Sequence, residues 1–342
     1  MSNNRVRVIV KQQHMGTYTK IGVIGAGLAG LSLAREIEGL AETTVFEKNP
    51  QIGGRLRMLK LNDYDCDSAS QYFTARKPVF KKFIKPMLQN NKIIQWNPRV
   101  MTIGDSKKAY KRDWFEPHYR ALPNMNSLLQ PLQEELDIRC NVNIDSITYD
   151  TRWTLSCNNR KFPENFDYLI LAMPAPLSLK MIPQSCNFIS DLQAIQMNPM
   201  FGLCLMFDEA PKLKYQAAKV KNSVIDWMYI ESTKLIKNEL HCMVLHSTTK
   251  FAKRHFDESQ DKIINLMLKA LGDLDLNLTE YSSLALDRWP YATVSNSSDE
   301  GFYIDQNLRL ATCGDWARGG GLEGAYTSGY LLAQELKRTL LM

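Results

Sequence analysis

The sequence has no run of about 20 unbroken apolar residues, the length that a transmembrane helix requires. Its beginning also lacks the apolar core and small-residue cleavage site of a secretory signal peptide, because the only apolar run there, residues 6–10, is short and has Arg5 and Arg7 beside it. We therefore expect no membrane partner and a cytoplasmic location. Residues 1–19 are predicted to be a flexible N-terminal extension.

The cysteines follow no disulfide or metal-binding pattern. There are seven, an odd number, scattered along the chain without a CxxC pair, so we expect buried free thiols, a reducing compartment and no metal site. His241 and His246 lie on either side of Cys242, but five residues along a strand place them on opposite faces. The sequence also has no GxSxG or HExxH motif to support hydrolysis.

The chain has little excess charge of either sign. Its 42 basic and 36 acidic residues are spread along the sequence and give a net charge of +6, so no basic patch predicts nucleic-acid binding. This mild balance is compatible with a polyanionic cofactor or substrate. At 342 residues, the chain is too long for one simple core and should form two domains.

What the sequence does contain is a strand, a glycine-rich turn and a helix near its beginning. The turn reads GAGLAG at residues 25–30, with a short apolar run before it and apolar residues at helical spacing after it. A second predicted strand ends at Glu47, 22 residues after Gly25. A GxGxxG turn in this context, with an acid about 20 residues later, predicts a dinucleotide-binding unit.

Each glycine of this turn has its own physical role. Gly25 permits the tight turn, Gly27 lets a pyrophosphate approach the backbone without meeting a Cβ atom, and Gly30 lets the helix pack against the strand. The phosphates would lie at the helix N-terminus, where unpaired N–H groups face them. Glu47 would accept hydrogen bonds from ribose hydroxyls and repel a 2′-phosphate, which favours FAD or NAD over NADP.

Two further segments extend the predicted cofactor site. Residues 53–55, Gly-Gly-Arg, suit a second close approach of backbone to the cofactor, with Arg55 near a phosphate. Near the C-terminus, a strand-like run leads into the residues 314–316, Gly-Asp-Trp, and the segment GGGLEGA at residues 319–325 leads into a predicted helix that reaches Leu340.

Together these segments resemble the FAD fingerprint of glutathione-reductase-type flavoproteins, in the branch that contains flavin amine oxidases, desaturases and Rab GDP-dissociation inhibitors. The resemblance implies that Asp315 binds a ribitol hydroxyl, that a helix N-terminus lies near the N1/C2 edge of the flavin, and that a strand at residues 141–147 offers its backbone, at Val142 or Ile144, to the adenine. The residues predicted to bind FAD are Gly25, Ala26, Gly27, Leu28, Ala29, Gly30, Glu47, Lys48, Gly53, Gly54, Arg55, Ile144, Gly314, Asp315, Glu323, Gly324 and Ala325.

Within that branch the chain resembles the renalases, in particular their bacterial forms. The segment DSASQYFTAR at residues 67–76 is similar to their AQYFTAR segment, and RWPYA at residues 288–292 and CGDW at residues 313–316 fall in the same order at similar spacing. The resemblance implies an oxidase that takes a hydride from isomeric dihydro forms of NAD(P)H to flavin N5. Dioxygen then accepts the electrons and yields hydrogen peroxide.

Between the two fingerprint segments, strand and helix patterns predict a second domain with an antiparallel sheet that covers the flavin. We therefore predict an α/β fold, with a Rossmann-like, glutathione-reductase-type FAD-binding domain and an α+β substrate domain. The FAD-binding domain is predicted to be discontinuous and to comprise residues 20–78, 122–176 and 287–342, and the substrate domain residues 79–121 and 177–286.

An aromatic-lined pocket is predicted to orient the donor over the flavin. The predicted catalytic residues are Gln71, Tyr72, His246 and Trp289, and the further candidates are Phe73, Trp227, Arg288 and Tyr291. The partners are a small donor, either a dihydronicotinamide or an amine, and dioxygen. Two alternatives stay open: a flavin amine oxidase or desaturase that acts on another small substrate, and a non-catalytic carrier resembling the Rab GDP-dissociation inhibitors.

Overall fold

The computed structural model describes residues 18–62, 64–104, 109–113, 115–230 and 241–341. The predicted N-terminal extension therefore lies almost entirely outside the described residues. The strands are β1 Lys20–Ile24, β2 Glu42–Phe46, β3 Leu59–Leu61, β4 Tyr64–Cys66, β5 Phe73–Thr74, β6 Ile93–Trp96, β7 Val100–Ile103, β8 Tyr110–Arg112, β9 His118–Ala121, β10 Asp137–Arg139, β11 Ile144–Tyr149, β12 Trp153–Cys157, β13 Arg160–Phe166, β14 Tyr168–Leu171, β15 Gln196–Phe207, β16 Ala217–Val220, β17 Ile225–Ile230, β18 His241–Ser247, β19 Tyr281–Asn296, β20 Tyr303–Asp305 and β21 Leu310–Thr312. The α-helices are α1 Leu28–Glu36, α2 Pro78–Gln89, α3 Gln130–Gln133, α4 Ala175–Met181, α5 Ile189–Ala194, α6 Thr249–His255, α7 Gln260–Gly272 and α8 Gly321–Leu340. Short 3-10 turns occupy Gly54–Leu56, Met125–Leu129 and Asp315–Ala317.

A six-stranded sheet joins the two ends of the chain. Its order is β10-β2-β1-β14-β21-β20, and all neighbours are parallel except β20 and β21. Strand β14 is buried along its whole length, as expected for a parallel sheet that is covered on both faces. Helices α1 and α8 pack so closely that a Cβ atom on Gly329 would lie 2.1 Å from the Ala29 carbonyl oxygen. The predicted Rossmann-like, discontinuous arrangement is confirmed.

A seven-stranded sheet forms the second layer, in the order β19-β15-β18-β17-β16-β7-β8. Its neighbours are antiparallel except β16 and β7, which confirms the predicted antiparallel sheet. One face packs against α6 and α7, where Phe251, Ile263 and Met267 share a hydrophobic cluster with Phe201 and Leu203. A layer of helices thus covers that face. Three smaller sheets are β11-β12-β13, β5-β9-β6 and β3-β4.

Strand β19 is longer than the sequence pattern predicts. The pattern indicates a strand over residues 281–286 and a return to the cofactor domain by Arg288, whereas β19 continues to Asn296. Its pairing with β15 shifts register between Asn198 and Met200, close to Pro290. Since β19 is the edge strand of its sheet, a proline is tolerated there.

The packing of α2 bears on the predicted domain boundaries, which stay a prediction. The pattern at residues 80–85 predicts an amphipathic helix at the start of the substrate domain. In the structure, Phe80 and Ile84 of α2 lie in the same hydrophobic cluster as Ile21 of β1 and Leu31 of α1. Helix α2 therefore shares the core of the parallel sheet. Among the described helices, none combines the length and apolar character needed to cross a bilayer.

Candidate active site

A cavity of about 1720 Å³ is lined by residues from both large sheets. Its lining includes the turn after β1, the end of β2 and the beginning of β11, together with residues of β17, β18 and β19. All four predicted catalytic residues and all further pocket candidates line this cavity. The predicted cofactor-binding residues line it too, except Ala26 and Gly30. The fold therefore brings together residues that are nearly 300 positions apart in the sequence.

The glycines of the first turn separate into packing positions and one open position. A Cβ atom on Gly25 would lie 2.4 Å from the Ala172 carbonyl oxygen, and one on Gly30 would lie 2.1 Å from the Gly25 carbonyl oxygen. Both glycines therefore let backbone segments pack. A Cβ atom on Gly27 would meet no protein atom within 4 Å, although Gly27 lines the cavity. The space in front of Gly27 is thus room for a ligand, as a pyrophosphate requires.

Glu47 holds this turn against the end of β2. Its Oε2 accepts a hydrogen bond from the Ala26 N–H at 3.1 Å, and its Oε1 accepts from the backbone N–H and side-chain amide of Asn49 at 2.9 and 2.6 Å. A carboxylate offers about four lone-pair sites, so acceptor capacity remains for a ligand. The Val142 N–H donates to the Glu47 carbonyl oxygen at 2.9 Å, and Ile144 pairs with Cys157 of β12. That Val142 or Ile144 offers its backbone to an adenine stays a prediction.

The second glycine segment packs against the first. The Gly53 N–H donates to the Ala26 carbonyl oxygen at 2.8 Å. Arg55 forms an ion pair with Asp315, with 2.5 Å between Nη2 and Oδ1, and donates to the Ala292 carbonyl oxygen at 2.8 Å. It lines the cavity, and its place near a phosphate stays a prediction. Because Asp315 is almost fully buried, its negative charge requires a cation beside it. Arg55 therefore compensates the negative charge of Asp315.

The two acids near the start of α8 have different surroundings. Asp315 also accepts a hydrogen bond from the Gly321 N–H at 3.2 Å, which fixes the first residue of the helix. The Glu323 carboxylate accepts from the backbone N–H groups of Arg76 and Lys77 at 2.6 and 2.5 Å. Its side chain thus satisfies donors at the beginning of α2 rather than pointing to a flavin, and only the main chain of this segment suits the predicted role.

Tyr72, which lines the cavity, belongs to a group of aromatic rings that we call the aromatic wall. The ring centroid of Tyr72 lies 4.8 Å from that of His118, 5.6 Å from that of Trp96 and 6.3 Å from that of Tyr229. The Tyr229 ring lies 5.2 Å from His246. Burial raises the pKa of both tyrosines above the usual value, so both stay protonated near neutral pH. The wall therefore presents uncharged, flat surfaces.

His246 is buried within this wall. Its Nε2 lies 2.8 Å from the carbonyl oxygen of Ser68, so this nitrogen carries a hydrogen that it donates. Desolvation by burial lowers the pKa of His246 to about 4. The imidazole is consequently neutral near pH 7 and positions the segment at Ser68.

Two family models match the chain. A model described as an NAD(P)-binding Rossmann-like domain matches residues 23–86, and one described as flavin containing amine oxidoreductase matches residues 107–337. The second match covers about two thirds of the chain. The chain belongs to the flavin containing amine oxidoreductase family. It is therefore a flavin-dependent oxidoreductase, as predicted, and family membership favours an enzyme over the carrier alternative.

Individual proteins agree with this family assignment. Renalase of Mus musculus is 24% identical over 348 aligned residues, which cover 94% of this chain and 99% of that protein. Among solved structures, an oxidoreductase from Methanosarcina mazei has a TM-score of 0.69 at 13% identity, over 93% of this chain and 100% of that one. Cyclohexylamine oxidase from Brevibacterium oxydans has a TM-score of 0.68 at 10% identity, over 95% and 100%. The predicted renalase-like character and the fold of this flavin amine oxidoreductase are confirmed.

Trp289 of this flavin amine oxidoreductase is held by a residue that the sequence analysis missed. The guanidinium carbon of Arg57 lies 4.5 Å from the Trp289 ring centroid, and Arg57 forms an ion pair with Asp287 at 2.6 Å. The Ser68 hydroxyl donates to the second Asp287 oxygen at 2.7 Å. Arg57 and Asp287 therefore position Trp289. The only sequence signal for Arg57 is its place two residues after Arg55.

Tyr229 and His118 were also missed. Tyr229 lies two residues after Trp227 on β17, so strand alternation places both on the same face and could have identified it. Their rings stack with centroids 5.8 Å apart. His118 belongs to β9, and nothing in its sequence neighbourhood links it to Tyr72. Within the described ranges, no group of three or more His, Cys, Asp or Glu side chains could hold a metal ion.

The buried state of His246 predicts a loss of stability in acid. The pKa of His246 is about 4 in the folded protein and 6.5 without burial, so below pH 6.5 the unfolded chain binds a proton that the folded protein does not. Because the unfolded chain gains free energy by binding this proton, the free energy of unfolding decreases as pH falls from 6.5 towards 4. We expect His246→Gln, which keeps an N–H donor, to remove about 2–3 kcal/mol of the decrease between pH 7 and 4.5.

The test is urea denaturation of both proteins at the two pH values. If the free energy of unfolding decreases by the same amount between pH 7 and 4.5 in wild type and in His246→Gln, the assignment of a neutral, buried imidazole is contradicted.

Proposed function

We propose that the protein is an FAD-dependent oxidase that takes a hydride from a small reduced donor, an isomeric dihydronicotinamide of renalase type, and passes the electrons to dioxygen to give hydrogen peroxide. The observation that carries the proposal is a single cavity whose lining includes both the open glycine position and acid of the first unit, Gly27 and Glu47, and the aromatic side chains Tyr72, Tyr229 and Trp289. A cofactor and a flat donor can therefore meet there.

FAD is favoured by the length of the cofactor end. Beyond the open position at Gly27, the cavity continues to Glu47 and Ile144, where a ribose and an adenine are expected in this type of fold. A flavin without the adenosine half would leave that part empty. We propose that the Gly27 backbone approaches the pyrophosphate, that Glu47 accepts from the ribose, and that Asp315, held by Arg55, accepts from a ribitol hydroxyl.

When bound, the flavin supplies a hydride acceptor at N5. The residues of the chain bind and orient. The N-terminus of α8, a helix of 20 residues, brings the positive end of its dipole to the cavity, which favours negative charge there. The aromatic wall excludes water from the donor. Since a dihydronicotinamide is already activated as a hydride donor, orientation suffices and no strong base is required.

The charges near the aromatic wall favour a dihydronicotinamide over an amine. Asp226, the carboxylate next to Trp227, is ion-paired with Lys219, and the nearby imidazole of His246 is neutral. A cationic amine would therefore compete with Lys219 for the Asp226 carboxylate. A neutral, flat ring would instead stack on Tyr72, Tyr229 or Trp289, as aromatic groups prefer.

Anaerobic mixing of the purified holoprotein with the 6-dihydro isomer of NAD tests the proposal. We expect the flavin absorbance to bleach within the mixing experiment and to return, with formation of hydrogen peroxide, when air is admitted. Ordinary NADH and benzylamine are the matched controls and should react far more slowly. Bleaching by benzylamine, without bleaching by the dihydronicotinamide, would reject the proposal in favour of an amine oxidase.

A further inference from the structure

Three buried cysteines meet behind the aromatic wall. Cys66 ends β4, Cys204 lies in β15 and Cys242 lies in β18, and all three are fully buried. Cys204 is paired with Val244 and Cys242 with Met206, so the two cysteines are diagonal neighbours on one face of the sheet. Cys66 approaches this face from the β3-β4 hairpin, and its Sγ lies 3.3 Å from the Sγ of Cys242.

This separation is close to that of a bond. A disulfide has a sulfur–sulfur distance of about 2.05 Å, so a side-chain rotation that brings the sulfurs together by little more than 1 Å would suffice. Hydrogen bonds from the thiols of Cys204 and Cys242 lower the pKa of Cys66, against the opposing effects of burial and of Asp67 and Asp65. A thiolate is the nucleophilic form of cysteine.

Two other buried cysteines, Cys186 and Cys313, have a raised pKa where that of Cys66 is lowered. Burial raises the pKa of Cys313 to about 12 and raises the pKa of Cys186. Both are free thiols like Cys66. They therefore serve as internal controls for the reactivity that burial alone would give.

We propose that Cys66 and Cys242 form a disulfide when hydrogen peroxide reaches the holoenzyme. The Cys66 sulfur attacks one peroxide oxygen, the O–O bond breaks, and a sulfenic acid and water result. The Cys242 sulfur then attacks the sulfenic sulfur and releases a second water. The two thiols lose two electrons and two protons, and one peroxide is reduced to two waters. The statement that turnover supplies the peroxide rests on the proposed oxidase function. The reactivity of the Cys66–Cys242 pair does not depend on that function.

The pair is connected to the cavity by the residues that follow Cys66. The Asp67 carboxylate accepts from the Met125 N–H at 3.0 Å. The Ser68 carbonyl oxygen accepts from His246, and the Ser68 hydroxyl donates to Asp287. Movement of Cys66 towards Cys242 therefore shifts the segment that positions both His246 and, through Asp287, Trp289. The oxidised enzyme should consequently turn over its donor more slowly than the reduced enzyme.

The test is a non-reducing peptide map of the holoenzyme after exposure to hydrogen peroxide, with the remaining thiols alkylated in denaturant. We expect one cross-linked peptide that joins Cys66 to Cys242, two hydrogens lighter than the separate peptides and released by dithiothreitol. Cys186 and Cys313 should be fully alkylated. A bridge between Cys66 and Cys204, stable sulfinic acids in place of a bridge, or seven intact thiols would each overturn the proposal.

Variants and a turnover experiment complete the design. Cys242→Ser should abolish the bridge between Cys66 and Cys242, and Cys204→Ser should keep it. The peptide map of the wild-type protein tests the proposal even if a variant does not fold. In a second arm, the holoenzyme oxidises its donor in air with or without catalase, and catalase should prevent the bridge. A bridge formed with added peroxide but not during turnover would support the reactive pair and count against peroxide production, so the two failures are distinguishable.

Discussion

Gly27→Val yields a protein that folds but contains no flavin. The backbone at Gly27 has φ −81° and ψ 178°, which valine adopts without strain. A Cβ atom there would meet no protein atom within 4 Å and would project into the cavity. The substitution therefore leaves the fold intact, with a change in unfolding free energy of about 0.5 kcal/mol or less, and removes the space for the pyrophosphate. The expected product is colourless.

The chain offers a matched control for this variant. Gly272, the last residue of α7, does not line the cavity, and a Cβ atom placed on it would also meet no protein atom within 4 Å. Gly272→Val should therefore purify with the same ratio of flavin to protein as wild type. Gly25→Val is no substitute, because its Cβ atom would collide with the Ala172 backbone. A yellow Gly27→Val protein would refute the assignment of the pyrophosphate to this turn.

Asp315→Ala is expected to lower the free energy of unfolding by about 3 kcal/mol. Removing one partner of a buried ion pair leaves the other charge uncompensated. Asp315 is 2% exposed and Arg55 keeps 28% of its side chain exposed, so the effect should lie at the lower end of the range for buried pairs. The Gly321 N–H also loses its acceptor, which weakens the start of α8. The measurement is urea denaturation at a fixed excess of FAD.

Two comparisons isolate the ion pair as the cause. Arg55→Met combined with Asp315→Leu removes both charges, so it should recover part of the lost stability without recovering flavin affinity. Glu258→Ala breaks the solvent-exposed pair with Lys262 and should change stability little, because water screens that pair. If Asp315→Ala is no more destabilising than Glu258→Ala, the Arg55–Asp315 pair does not stabilise the contact between the turn Gly54–Leu56 and the turn Asp315–Ala317.

The local parts of the site could be predicted from the sequence. The turn at residues 25–30 and Glu47 depend on a strand, a glycine turn and a helix that are contiguous in the chain, and on backbone approaches that only glycine allows. Gly25 and Gly30 pack backbone against backbone, and Gly27 faces open space, as their predicted roles require. The antiparallel sheet of the second domain was likewise predicted, because alternation is a local pattern, whereas the strand β16 and the helix α6 were not.

The partners of the charged side chains could not be predicted in the same way. Arg55 was predicted to lie near a phosphate, and the sequence did not indicate that it pairs with a carboxylate 260 residues away. A helix N-terminus near the flavin was predicted at residues 323–325, and the sequence did not indicate that the Glu323 carboxylate accepts from the backbone at the start of α2. An ionised side chain binds the nearest opposite charge or donor in space, and sequence spacing carries no information on which one that is.

By itself, the sequence determined that a glycine turn follows the first strand, where we predict a dinucleotide cofactor, and that both ends of the chain build one flavin fold. These properties follow from backbone geometry and side-chain periodicity, which neighbouring residues specify. Only the tertiary structure decided that Tyr72, Tyr229 and His246 form one wall, that Arg57 holds Trp289, and that Cys66 meets Cys242. Each of these contacts joins segments that are separated in the sequence, because strand pairing and the burial of side chains in the folded protein, and no local pattern, bring them into reach.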